Sequence, residues 1–173
     1  MALVLVSTVG SASANTWAVL LDADTLADEI WPVPSAWLAA ADDARARCLV
    51  KATRIMETLA YPGAPADSTQ ALSWPRAGVY KPNGAGAVFL LTEIPPQVIR
   101  AQSLLAIWLL DQTKDPGLAS DAGLSSISFG GEISMSFEAG ATGKTPLERF
   151  LWQRVFPELG ELAYVPQPRI VRG

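Results

Sequence analysis

The side chains that do most of the chemistry in proteins are sparse here, and one type is missing. The 173-residue sequence contains no histidine, which removes Ser-His-Asp and Cys-His nucleophile arrangements, imidazole general bases and His-containing metal sites. Its single cysteine, Cys48, cannot close an internal disulfide, and one thiol without imidazoles does not make a zinc site. The segment Gly140-Ala-Thr-Gly-Lys144-Thr145 ends like a phosphate-binding loop. The full motif, however, would place its first glycine at Glu138, and Gly84-x-Gly86 is too short for a dinucleotide fingerprint. Carboxylates pair at Asp22/Asp24, Asp42/Asp43 and Glu158/Glu161, each with a local use at a helix start or on a solvated face. The residues therefore imply no catalytic site, no cofactor and no metal.

Composition carries more. Half of the residues are apolar, 17% are charged and six are tryptophan, against about 25% charged in an ordinary soluble domain. Low charge with many aromatics suits surfaces covered by neighbouring subunits. The net charge of −4 argues against a surface built chiefly to neutralise phosphates. Charge is uneven, since residues 144–173 hold Lys144, Arg149, Arg154, Arg169 and Arg172 against three acidic residues. The apolar start, residues 1–14, lacks the basic opening of a signal peptide and reads as a strand or arm. Leu104 to Leu110 is far too short to span a bilayer, so no membrane contact is expected.

The elements that must position these residues follow from periodicity. Residues 3–9 read as a strand, and Asp22 to Ile30 as a short helix ended by Trp31-Pro32-Val33-Pro34. Ser35 is a candidate N-cap for one long helix to about Ala60, with Ala41, Ala44, Cys48, Leu49, Ala52, Ile55, Met56 and Leu59 on its apolar stripe. Off that stripe lie Asp42, Asp43, Arg45, Arg47, Lys51, Arg54 and Glu57, which suit a solvated or subunit-facing surface better than a phosphate-binding one. Tyr61 to Gln70 is a loop, residues 71–79 are extended through Trp74-Pro75, and Asn83-Gly84 turns a two-stranded excursion that pairs Val79-Tyr80 with Val88 to Leu91. A second long helix covers about 97–113, with Val98, Leu105, Trp108 and Leu109 inward and a stop at Asp115-Pro116-Gly117. Residues 127–137 alternate with Ile127, Phe129, Ile133, Met135 and Phe137 on one parity, as a hairpin or a bulged strand. Gly140 to Lys144 is a joint, Thr145-Pro146-Leu147-Glu148 a capping box that starts a helix to about Phe156, and the remainder an extended arm. The fold class is mainly α with a small β part: a helical bundle of two long helices and short N- and C-terminal ones, plus a β-hairpin and extended arms. It divides into a body over 1–143 and a C-terminal helix and arm over 144–173.

On these residues the chain resembles the phage head-to-tail connector (adaptor) proteins, often labelled DnaT-like single-stranded-DNA-binding proteins. Asn15-Thr16-Trp17 with Asp22-Ala23-Asp24, Ala46 to Ile55, the string Leu72-Ser-Trp74-Pro75-Arg76-Ala-Gly78-Val79, and Ile94-Pro95 before an Ala/Leu-rich helix carry the likeness, over about 15–138. The fourteen preceding residues and the long stretch between Val79 and Ile94 depart from it. The resemblance implies a structural virion protein rather than an enzyme: a homo-oligomeric, dodecameric ring beneath the portal, joining capsid to tail. Its location would be the neck of the bacteriophage virion, after assembly from the host cytoplasm. Portal protein and tail or neck proteins would be partners, and genomic double-stranded DNA would pass through the lumen during genome ejection without sequence-specific contact. In that picture Trp74 anchors the loop between the helices, Pro75 fixes its path and Arg76 binds a carboxylate or a carbonyl cluster, within the chain or across subunits. Phe129, Ile133, Met135 and Phe137 would add to the adjacent subunit, and Pro166, Pro168, Arg169, Ile170, Val171 and Arg172 would reach the portal.

The alternative is a single-stranded-DNA-binding replication protein, which needs a basic groove lined with stackable aromatics. Trp17, Trp31 and Trp37 offer rings, but Asp22, Asp24, Asp28 and Glu29 beside them have the wrong sign.

Overall fold

The computed structural model describes residues 3–82, 86–112 and 146–163. The expected turn at Asn83-Gly84, the helix stop at 115–117, the alternating 127–137 stretch with Phe129, Ile133, Met135 and Phe137, the 140–144 joint, Thr145 of the capping box, and the arm with Pro166, Pro168, Arg169, Ile170, Val171 and Arg172 lie outside these residues.

Helices dominate the described chain: α1 (Leu20–Glu29), α2 (Ser35–Leu38), α3 (Asp42–Met56), α4 (Pro96–Gln112), α5 (Pro146–Phe150) and α6 (Phe156–Leu159). A π-helical segment, Leu151–Val155, joins α5 to α6, and a 3-10 turn, Gly160–Leu162, ends the path. The β content is two short strands, β1 (Ala64–Pro65) and β2 (Arg76–Ala77), paired antiparallel with Ala64 opposite Ala77. Mainly α with a small β part is thus the observed class.

The organising element is α4. It packs against α1, α2, α3 and the C-terminal helical segment, so it is buried almost all round, through Val98, Ala101, Leu105, Ala106, Ile107, Leu109 and Leu110. A helix apolar on every side is a core helix. Small residues, Ala101 and Ala106 on α4 and Ala52 on α3, are fully buried in the same core as Leu49 and Met56. Each large side chain buried there, Leu49, Met56 or Leu105, contributes roughly 1.5–3 kcal/mol relative to exposure.

The long helix expected from Ser35 to Ala60 is instead two helices, α2 and α3, with Ala41 extended at ψ 150° before α3. Trp37 and Arg45 explain the break. Eight residues apart, they would stand about 12 Å apart along a straight helix, yet both reach one oxygen of Asp24, each at 2.8 Å. Breaking the axis brings them together and starts α3 afresh at Asp42 and Asp43, whose charges suit a helix N-terminus.

The strand expected at residues 3–9 does not form: residues 3–8 have no regular secondary structure and Val9 and Gly10 make a turn. The segment is held by Asn15, whose amide donates to Val4 O at 2.9 Å, accepts from Val6 N at 2.9 Å, and whose backbone N–H donates to Val6 O at 2.9 Å. One residue, through its side chain and its backbone N–H, thereby satisfies backbone groups that a neighbouring strand would otherwise pair. The two-stranded excursion forms as read from the sequence: Tyr80 bridges Val88 antiparallel, Phe89 N donates to Val79 O at 3.0 Å, and Lys81 N to Ala87 O at 2.8 Å.

At the C-terminus, the helix expected to end near Phe156 runs on to Leu159. Phe156 N–H reaches back five residues to Leu151 O, and the next residue, Pro157, has no N–H to restore the α register at that point. Leu151, Val155, Leu159 and Leu162 are buried along this path. Trp108 of α4 stacks on Phe150 with centroids 4.8 Å apart.

Candidate functional site

Three groups of residues carry the site argument: the Trp74-Pro75-Arg76 segment, the charged face of α3, and the exposed aromatics.

Arg76 lies on β2, and its guanidinium is turned inward. It donates to Pro62 O (2.6 Å), Gly63 O (2.7 Å), Ser73 O (3.1 Å) and Tyr61 O (3.3 Å), and the residue is 9% exposed. The planar fork of donors suits a ring of carbonyls, which a lysine ammonium could not satisfy together. Trp74, 1% exposed, joins an edge-to-face series, Trp17–Tyr61 at 6.5 Å, Tyr61–Trp74 at 6.0 Å and Trp74–Phe89 at 6.1 Å. Pro75 is buried between them. Of the two uses open for this segment in the sequence, the structure displays the one inside the chain: a staple that closes the loop over the core. Glu57, at the end of α3, completes it by accepting from Ser73 N and Ser73 Oγ, both at 2.9 Å. Burial pushes the Glu57 carboxyl above its usual range, opposed by the Ser73 hydrogen bonds and by Arg76. Burial likewise raises the Tyr61 phenol, whose hydroxyl donates to Met56 O at 2.9 Å.

The staple leaves the opposite face of α3 outward. Arg47 and Arg54 are exposed and Lys51 is half-buried, at positions i, i+4 and i+7, which share one helix face. The row extends about 10 Å along the axis. Arg47 is shared with Asp43 at 2.8 Å, and that hydrogen bond holds the Asp43 carboxyl below its usual range. Arg45 is turned away from the row, toward Asp24 and Asp42. Cys48, between the basic residues in sequence, is buried, and burial raises its thiol pKa, as befits a small core residue.

Of the three aromatics the sequence singled out, one is exposed. Trp17 and Trp37 are buried, and only Trp31 of that trio is open, at 86%. Trp152, half exposed on the C-terminal segment between the exposed Arg149 and Arg154, and Tyr80 on the excursion are open as well. Sequence reasoning passed over Trp152. Burial of Leu151, Val155, Leu159 and Leu162 turns positions 149, 152 and 153 to solvent, which the sequence alone did not show.

Among the described residues no group of His, Cys, Asp and Glu is arranged to hold a metal ion, and no described helix is long and apolar enough to cross a membrane.

The model of one protein family, described as "Putative DnaT-like ssDNA binding protein", matches residues 1–170. No curated protein and no solved structure matches the chain. The match corrects the expectation of a structural connector joining capsid and tail, because it names the other reading, single-stranded DNA binding. A sum of −4 over the chain says nothing about a local row of cations, and Asp24, Asp42, Glu29, Glu93 and Glu158 are matched by basic partners within the chain.

Proposed function

Because the chain belongs to the DnaT-like single-stranded-DNA-binding family, we propose that it binds single-stranded DNA as a replication protein, without chemistry of its own. The family match over nearly the whole chain carries this reading. The outward face of α3 supports it, with Arg47, Lys51 and Arg54 on one side of a rigid helix and the Glu57 carboxylate of the same helix engaged with Ser73.

The physical role of such a row is to follow the phosphate backbone. It gives affinity that is tolerant of sequence and sensitive to salt, because each neutralised phosphate releases counterions. Arg47 would exchange the Asp43 carboxylate for a phosphate oxygen, one anion for another in the same geometry. The helix supplies preorganisation: its inner face is locked by Leu49, Ala52 and Met56 in the core.

The test is fluorescence anisotropy of a labelled oligonucleotide against the full chain and against a variant carrying Arg47→Ala, Lys51→Ala and Arg54→Ala. Loss of three contacts lowers the steepness of log K against log salt by about 2. A variant that binds with unchanged affinity and slope removes the α3 face from the interface.

A further inference from the structure

The two-stranded excursion is apolar on both faces. Phe89 N and Lys81 N donate across it to Val79 O and Ala87 O, and these two hydrogen bonds flank the Tyr80–Val88 bridge. That bridge is therefore a non-hydrogen-bonded pair, with its two side chains close together on one face. Alternation sorts the rest. Val79 and Phe89 are buried, Phe89 edge-to-face with Trp74 at 6.1 Å. Tyr80, Val88 and Leu90 turn outward, 67%, 47% and 65% exposed, and Leu91 follows at 55%. An antiparallel pair with one face on a core and the other in water ordinarily carries polar residues on the wet side. Here that side carries a tyrosine and aliphatic residues, braced from below by the core.

The face is also without a charge of its own. Lys81 is the one charged residue among the described residues of the excursion, 79–82 and 86–91. Its ammonium donates to both Glu93 carboxylate oxygens, at 3.0 and 2.9 Å, and lies over the Phe89 ring at 5.1 Å, so the excursion itself gives phosphates little to hold. A chain of net charge −4 meets its own copy with least repulsion where neither surface brings an anion.

We infer that this face pairs with the same face of a second copy, in a two-fold contact in which Tyr80, Val88 and Leu90 of one copy cover those of the other. Side chains exposed by half to two-thirds amount to a few hundred Å² per copy, below the roughly 800 Å² per partner of a standard stable interface. The contact is accordingly weak and reversible, with a dissociation constant on the order of 10–100 µM. It uses nothing of α3 and stands apart from the DNA reading.

The experiment is sedimentation velocity of the full chain from about 1 to 500 µM, beside two double variants, Val88→Glu with Leu90→Glu and Val88→Lys with Leu90→Lys, and with thermal melts in parallel. The inference expects the unaltered chain to move from monomer toward dimer over that range, and each double variant to associate about ten-fold more weakly or worse. An equimolar mixture of the two variants is expected to regain association, because opposite charges then meet across the two-fold. Both positions point outward, so the melts are expected to stay within a few degrees of the unaltered chain. A monomer at every concentration, double variants that associate as tightly as the unaltered chain, or a mixture as weak as each variant alone would overturn the pairing. Melts lowered by about 10 °C or more in both variants would overturn it as well, since the face would then be covered within its own chain.

Discussion

Gln102, in the middle of α4, donates a 2.9 Å hydrogen bond to the hydroxyl of Thr53 on α3, forty-nine positions away. Thr16 Oγ1 at 2.7 Å and Leu49 O at 3.1 Å also lie within hydrogen-bond distance of that amide nitrogen, whose two hydrogens are shared among the three acceptors, while the amide oxygen accepts from Trp17 N at 3.2 Å and Ala18 N at 2.9 Å. One fully buried side chain therefore ties α3, α4 and the segment leading into α1, and sets the face that α3 presents to solvent.

Replacing Gln102 by Leu leaves the backbone N–H groups of Trp17 and Ala18 buried without this acceptor. An orphaned buried polar group costs about 1–3 kcal/mol, so urea unfolding of Gln102→Leu is expected to show a loss of about 3 kcal/mol. An unchanged midpoint would mean that the network is not holding these elements together.

Arg76 makes a sharper substitution test. Lysine keeps the charge but cannot serve four carbonyls spread over residues 61–63 and 73. Arg76→Lys is expected to lose about 2 kcal/mol, close to Arg76→Met, because unsatisfied carbonyls rather than lost charge set the penalty. Recovery of stability by lysine would show that charge alone mattered.

Gly63 sits just before β1 with φ +74°, and a Cβ built on it would stand 2.2 Å from the Ala77 carbonyl oxygen. Since the clash is with backbone, Gly63→Ala must spread the β1–β2 pair. The expected result is a loss of about 2 kcal/mol together with faster proteolysis within residues 61–77.

The pH dependence centres on Glu57, which faces Ser73, Arg76 and Tyr61. Its folded pKa is raised above the ordinary 4.5 by burial, so the folded state holds a proton that the unfolded state has already released. Stability from this group is thus fully present below pH 4.5 and is lost as pH rises through the folded value. Glu57→Gln removes that titration. Urea midpoints of the two proteins are expected to converge or cross as pH falls toward 4.5, and a gap independent of pH would refute the assignment.

The sequence spoke most clearly where periodicity or turn chemistry was strong. Pro95-Pro96 before an Ala/Leu-rich run marked the start of α4 within one residue. Trp31-Pro32 closed α1, and the pairing of Val79-Tyr80 with the segment starting at Val88 followed from the residues flanking Asn83-Gly84, though the contacts extend to Lys81 and Ala87 rather than on to Leu91. Elements held by one polar side chain were hidden. Asn15 pins the N-terminal segment and Gln102 links three elements, but a lone amide in an apolar stretch has the same spacing signature whether it is a hub or a solvated residue. The break before α3 was hidden because Ala39, Ala40 and Ala41 favour helix, and only the shared Asp24 contact of Trp37 and Arg45 interrupts them. For the candidate site, the α3 row was visible as helix-spaced charge. The sign of the whole chain directed attention away from it, and Trp152 came into view only once the buried side of its segment was known.

The proposed function requires a local surface for single-stranded DNA on an acidic chain. Binding of one labelled oligonucleotide, measured single-stranded and annealed to its complement over 50–300 mM salt, tests it most directly. The account predicts tighter binding to the single strand, with log K falling linearly against log salt at a slope of about −2 to −4 for three to five phosphate contacts. Absence of binding at 50 mM salt, or equal affinity for the duplex, would contradict it.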